Sequence, residues 1–143
     1  MTVKAVFFPH NVTEFRIPEE LRSWLATDLK ESGGYYKLHN APGLGHLEKG
    51  SVVFFRRDRV VVGMAVVEED LRPINPEENV ELIKYEQIVK FFPNSIWAFS
   101  SNNCVSLEEF DKISKWGKIS PDFAYSEIDT LDQLKILLSL INH

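Results

Sequence analysis

Four histidines, at positions 10, 39, 46 and 143, and one cysteine, Cys104, are the residues of this chain best suited to hold a metal or attack a substrate. Their spacing supports neither role. No two histidines stand four apart, the separation that puts both imidazoles on one helix face, and a lone thiol has no partner for a zinc site or an internal disulfide. Cys104 reads as a small, wholly or partly buried residue. Gly43-Leu-Gly45 lacks the Lys and Ser or Thr that follow in a phosphate-binding loop, and no serine sits in a G-x-S-x-G turn. Glu81-Leu-Ile-Lys84 sets an acid before a lysine as metal-dependent nucleases do, but one residue out of step; a solvated strand edge accounts for it. The sequence argues against an enzyme and implies no cofactor and no metal.

The chemistry that remains is aromatic. Such residues make up 12% of the chain, and Tyr35, Tyr36, Trp97 and Phe99 flank polar turns where full burial is in question. A cage of rings holds a flat base by stacking and takes up a methyl group by apolar contact, while amides and hydroxyls read the hydrogen-bonding edge. Asn40, Ser100 and Asn102 are placed to be those readers. Core packing is the competing account; it is favoured for Phe99, and Tyr36 and Trp97 suit either.

Charge limits how a nucleic acid would be held. The net charge of -5 excludes a protein that coats the phosphate backbone by electrostatics alone. Residues 1–60 carry nine Lys or Arg against seven Asp or Glu, whereas residues 61–143 carry seven against fourteen, so a basic face can come only from the first half. Lys37, Lys49, Arg56, Arg57 and Arg59 are its candidate phosphate contacts, and a solvated hairpin tip explains the three arginines equally well.

These side chains hang on elements that the sequence punctuates. Gly50 to Glu69 reads as an antiparallel hairpin, two β-branched and aromatic runs turning at Arg56 to Arg59, with both faces covered because neither run alternates. Gly63, inside the second run, marks a bulge, a bend or the close approach of another backbone or a ligand. Before the hairpin come a strand over Val3 to Phe8 closed by Pro9, and a helix from Pro18 to Ser32 with core positions at Leu21, Trp24, Leu25 and Leu29, stopped by Gly33-Gly34. Tyr35 to Leu38 follows as a strand, and then a turn-rich loop from His39 to His46. After the hairpin, residues 71–79 form a connector, and strands are expected over Val80 to Phe92, Ser95 to Phe99 and Phe123 to Ile128. Ser106 with Glu109 caps a helix ending at Gly117, with Val105 and Phe110 as its staple, and Thr130 with Gln133 caps the last, over Leu131 to Ile141. The sum is a single α+β domain over residues 1–143, a small curled mixed or antiparallel β-barrel of about six strands with about three flanking helices. No apolar run is long enough for a membrane span, and the apolar patch at Val6 to Phe8 is too short for a secretory leader, so a cytoplasmic location without membrane contact is expected.

The order of parts resembles the EVE branch of the PUA-like superfamily. Gly34-Tyr-Tyr, the loop bearing His39-Asn40, Leu47-Glu-Lys-Gly50-Ser-Val-Val-Phe-Phe and Val60-Val-Val-Gly63-Met-Ala-Val-Val match that branch's succession of an Asn-bearing loop and two strands. Lys90-Phe-Phe-Pro-Asn-Ser-Ile96 followed by Val105-Ser-Leu-Glu-Glu-Phe110 is similar to its strand that passes through a proline into a helix. Ser51 replaces the usual aspartate, and Val6-Phe7-Phe8 the usual Tyr-Trp. The resemblance implies a pseudo-barrel whose pocket, near Tyr36 to Asn40 and so including His39, accepts a modified base without catalysis. It also implies similarity to the DNA-specificity part of McrB-type modification-dependent restriction enzymes, which work with a motor and a nuclease. The expected partner is nucleic acid carrying a methylated base, DNA ahead of RNA. A PUA-type RNA-binding domain and a protein or small-ligand module are the alternatives.

Overall fold

A computed structural model describes residues 4–10, 13–39, 47–78, 85–119 and 125–141. Eight strands form one sheet: β1 (Ala5–His10), β2 (Tyr35–Leu38), β3 (Val52–Arg57), β4 (Val60–Pro73), β5 (Gln87–Phe91), β6 (Trp97–Ala98), β7 (Val105–Ser106) and β8 (Ser126–Ile128). Three helices accompany them: α1 (Pro18–Trp24), α2 (Leu107–Ser114) and α3 (Leu131–Ile141). The hydrogen-bonded path runs β2-β5-β4-β3-β1-β8, with β6 and β7 on β4; only β1 and β3 pair in parallel. The expected α+β domain with a curled, mostly antiparallel sheet and three helices is present; among the described residues the sheet is not closed into a barrel and has eight strands, against about six expected.

The hairpin is the centre of this sheet. β3 and β4 pair from Val52↔Val66 to Arg57↔Val60, with a register shift after Phe55 opposite Gly63. A side chain at Gly63 would meet Leu25 Cδ1 at 2.6 Å and the Trp97 carbonyl oxygen at 2.8 Å, so the glycine is there because helix and β6 backbone both press on it. Both faces are buried, as the unbroken apolar runs require. On one, Val6, Phe8, Val53, Phe55, Ala65 and Phe91 pack against Leu21, Leu25 and Leu29. On the other, Ala5, Phe7, Phe54 and Val61 pack against Phe110, Trp116 and Leu137 from the α2 and α3 region.

The first helix begins with Pro18 in its first turn, followed by Glu19 and Glu20, and passes into a π-helical turn over Leu25–Leu29. Gly33 and Gly34, both at φ +86°, end it by donating to the carbonyls of Lys30 and Leu29. In α2 the Glu109 amide donates to Ser106 Oγ at 3.5 Å, and in α3 the Gln133 amide donates to Thr130 Oγ1 at 3.2 Å. Three boundaries differ from expectation. Pro9 lies inside β1, opposite Arg56, where β8 no longer pairs and the missing amide costs no ladder bond. The last run of the hairpin extends to Pro73, so residues 71–73 are strand rather than connector. Helix α2 stops at Ser114 on a left-handed Lys115, ahead of Gly117. The expected strand over Val80 to Phe92 is present as β5, while residues 79–84 lie outside the described residues, as do 40–46 and 120–124.

Candidate functional site

Strand β2 ends the sheet at one side, and the curl brings it opposite β1. Tyr36 and Leu38 point inward; Tyr35 and Lys37 point outward, Tyr35 with 41% of its surface exposed. Between β2, the C-terminal end of β1, the loop before α1 and the last residue of that helix opens a cleft of about 920 Å³, walled by Phe15 and Trp24, by Tyr35 and Lys37, and by Tyr85 and Tyr125. At its mouth His39 and Tyr85 lie ring on ring, centroids 4.9 Å apart and planes 31° from parallel.

The floor is polar and buried. The Tyr36 hydroxyl lies 2.9 Å from His10 Nε2, and His10 Nδ1 lies 3.4 Å from the Arg56 carbonyl oxygen. A carbonyl only accepts, so Nδ1 carries the proton; burial holds the imidazole neutral, its pKa brought down to about 4, and Nε2 is left as the acceptor for the Tyr36 proton. The Tyr125 hydroxyl adjoins that of Tyr36, and its pKa is pushed up to about 12, first by burial and then by the charge of Glu14. Glu14 is exposed at the rim, yet desolvation by its surroundings raises its carboxyl. Glu78, also on the cleft wall, is held by Arg72 through two bonds of 2.8 Å that bring its pKa down to about 2.

The residues singled out in the sequence fall into separate groups. Tyr35, Lys37 and His39 line the cleft. Tyr36 lines it too, but its ring is 8% exposed and packs on Phe8, Trp24, Phe55 and Phe91; it is a core ring with one polar atom, not a stacking surface. Trp97, 41% exposed, packs edge-on to Phe99 at 4.7 Å, and Ser100 and Asn102 are exposed just beyond it. None of these three lines the cleft, because β6 pairs with β4 at Gly63 and Met64, while β5 intervenes between β4 and β2. Asn40 lies outside the described residues.

The candidate phosphate contacts have partners within the protein or lie away from the cleft. Arg56 is buried, donates to the Asp58 carbonyl at 2.9 Å, and has its pKa lowered by desolvation. Arg57 donates to the carbonyls of Phe15, at 2.6 Å, and Arg16. Arg59 pairs with Glu108 at 2.8 Å. Arg56 thus bonds within the hairpin turn, Arg57 ties the tip to the loop before α1, and Arg59 ties it to the start of α2. Lys37 donates to the Glu78 carbonyl at 2.6 Å, and Lys49 stands 6.0 Å from the Phe92 ring, away from the cleft. Among the described residues no group of three His, Cys, Asp or Glu side chains is placed to hold a metal, and no helix is long and apolar enough to cross a membrane.

His10, Glu14, Tyr85 and Tyr125 were not foreseen as site residues. They come from three separate parts of the chain, residues 10–14, Tyr85 and Tyr125, which the curl of the sheet brings together.

No family model matches the chain, and no curated protein matches it. Solved structures share its fold, the following two among them. The protein Atu2648 from Agrobacterium tumefaciens superposes with a TM-score of 0.58 over 99% of this chain and 97% of its own, at 14% identity. ASCH from Zymomonas mobilis does so with a TM-score of 0.53 over 96% and 95%, at 10% identity. The chain thus has the fold of these two proteins. At such identities the likeness defines architecture alone.

Proposed function

We propose that this chain is a non-catalytic nucleic-acid-binding module, in which one base, swung out of its stack, enters the cleft beside β2. The observation that carries this reading is the cleft itself. Its volume falls within the range of roughly 300–1,000 Å³ usual for small-ligand sites, and rings surround a polar floor. Tyr35 and the His39–Tyr85 pair offer stacking faces at the mouth, while Phe15 and Trp24 give an apolar wall against which a methyl group would rest. A methylated base is therefore the preferred ligand, in DNA ahead of RNA, in keeping with the resemblance to the EVE branch and to McrB-type specificity modules.

Affinity in this reading comes from stacking, worth roughly 1–3 kcal/mol per base, more than from phosphates. With Arg56 buried, Arg57 bonded to backbone carbonyls and Arg59 paired with Glu108, the hairpin tip offers fewer cations to displace counterions. The logarithm of the binding constant should then fall against the logarithm of salt with a slope no steeper than about 2, the value of two or three phosphate contacts. The test is a titration of paired oligonucleotides, methylated and plain, single- and double-stranded, at fixed salt. Preference for a methylated member, lost in Tyr35→Ala and Tyr85→Ala, supports the reading; equal binding of both members would falsify it.

A further inference from the structure

Tyr35 is held in place from outside the cleft it lines. Its partner across the ladder on β5 is Lys90, whose ammonium stands over the tyrosine ring, 5.6 Å from the centroid. Glu68 fixes that ammonium at 2.9 Å, and Glu69 lies further off at 4.0 Å. On the helix side the ring runs beside Gly33, where an added side-chain carbon would touch its Cδ2 and Cε2 at 3.6 Å. Ser32 ties the strand itself to the end of that helical stretch: its hydroxyl donates to the Leu29 carbonyl at 2.7 Å and lies 3.4 Å from the Tyr35 carbonyl oxygen. Lys90 keeps only 19% of its side chain exposed and, unlike Tyr35, does not line the cleft. The ammonium therefore backs the ring instead of facing a ligand. A tyrosine at a surface loses rotational freedom when a base stacks on it, and a ring already held loses less.

We infer that Lys90, anchored by Glu68, is a positioning residue for base binding: it holds the Tyr35 ring at the cleft wall and strengthens stacking without touching the ligand. This deepens the base-binding reading and rests on it. Two consequences separate such a role from a phosphate contact. A lysine that displaces counterions steepens the salt dependence of binding, whereas one that acts through a ring leaves the slope as it is. The contribution also exists only while the ring is there, so it disappears with Tyr35.

The test is a double-mutant cycle, read by anisotropy titration of the full chain with the paired methylated and plain oligonucleotides, at several salt concentrations. Lys90→Met, which keeps the length of the side chain and removes its charge, should weaken binding about threefold, the size of a cation–π contact at a surface, with an unchanged salt slope. In a Tyr35→Ala background the same change should alter affinity by less than about 1.5-fold. Lys90→Arg, which preserves both the charge over the ring and the bond to Glu68, should bind within about twofold of the parent. Full affinity in Lys90→Met, in a protein whose binding still falls on Tyr35→Ala, would overturn this inference and leave the base-binding reading standing. Equal losses with and without Tyr35, or a shallower salt slope in Lys90→Met, would overturn it as well, since the lysine would then act independently of the ring. Unchanged binding in Tyr35→Ala, or binding of no oligonucleotide in the panel, would overturn both.

Discussion

The two faces of the central hairpin carry the same kinds of residue and end differently. On the α2 and α3 side, Phe7, Phe54 and Phe110 are fully buried, and Trp116, nearly so, sends its indole N–H to the Glu127 carbonyl, so that face is closed. On the α1 side the helix covers β3 and β4 but stops at Gly33, short of the gap between β1 and β2, and there the core turns polar. Adjacent residues of β1 show the contrast: Phe7 belongs to the closed face, and Phe8 packs on Tyr36 and Tyr125 at the edge of the cleft. The contrast is between two parts of one sheet, closed where two helices cover it and, in the reading proposed above, open to a ligand where one helix runs out.

Four changes would break or sharpen this contrast. The largest is Phe110→Ala on the closed face, which should cost about 3–5 kcal/mol in denaturant unfolding, with the folded fraction binding as before. On the open face the expected effects are smaller and depend on protonation. His10 has a folded pKa near 4 against 6.5 when exposed, so the unfolded state takes up the proton first. Stability is full above about pH 6.5 and falls as pH drops toward 4, by roughly 3 kcal/mol; His10→Gln should flatten that interval in a pH series of unfolding curves. Tyr36→Phe leaves His10 Nε2 buried without its donor and should lose about 1–3 kcal/mol, while the acid-sensitive interval narrows from its lower edge as folded His10 protonates more readily. The smallest effect belongs to Arg59→Ala. Its pair with Glu108 is solvent-exposed, so stability should change by less than about 1 kcal/mol and the salt dependence of binding should not change.

Much of the scaffold was legible because it is local. Helix caps at Ser106 and Thr130, the stop at Gly33-Gly34, the hairpin and the close approach at Gly63 each follow from residues within one element and its neighbours. Sheet closure was not, since it depends on whether β2 and β8 meet, and no short-range pattern encodes that. The site was legible by half. Exposure at Tyr35 and Trp97 could be read from the polar turns beside them, but whether the two rings share a pocket depends on β5 lying between β2 and β4. The arginines at the hairpin tip misled because their partners, the Phe15 and Arg16 carbonyls and Glu108, are roughly 40 to 50 residues away. The polar cluster of His10, Tyr36 and Tyr125 at the cleft draws on distant parts of the chain for the same reason.

The claim at the centre is that ligand meets the cleft beside β2 and not the exposed tryptophan of β6. Affinities of Tyr35→Ala and Trp97→Ala, measured side by side on the best-bound oligonucleotide, test it directly, because both rings are 41% exposed and neither change removes a core residue. The account predicts a loss of about tenfold or more for Tyr35→Ala and an affinity within about twofold of the parent for Trp97→Ala. The reverse ranking would contradict it.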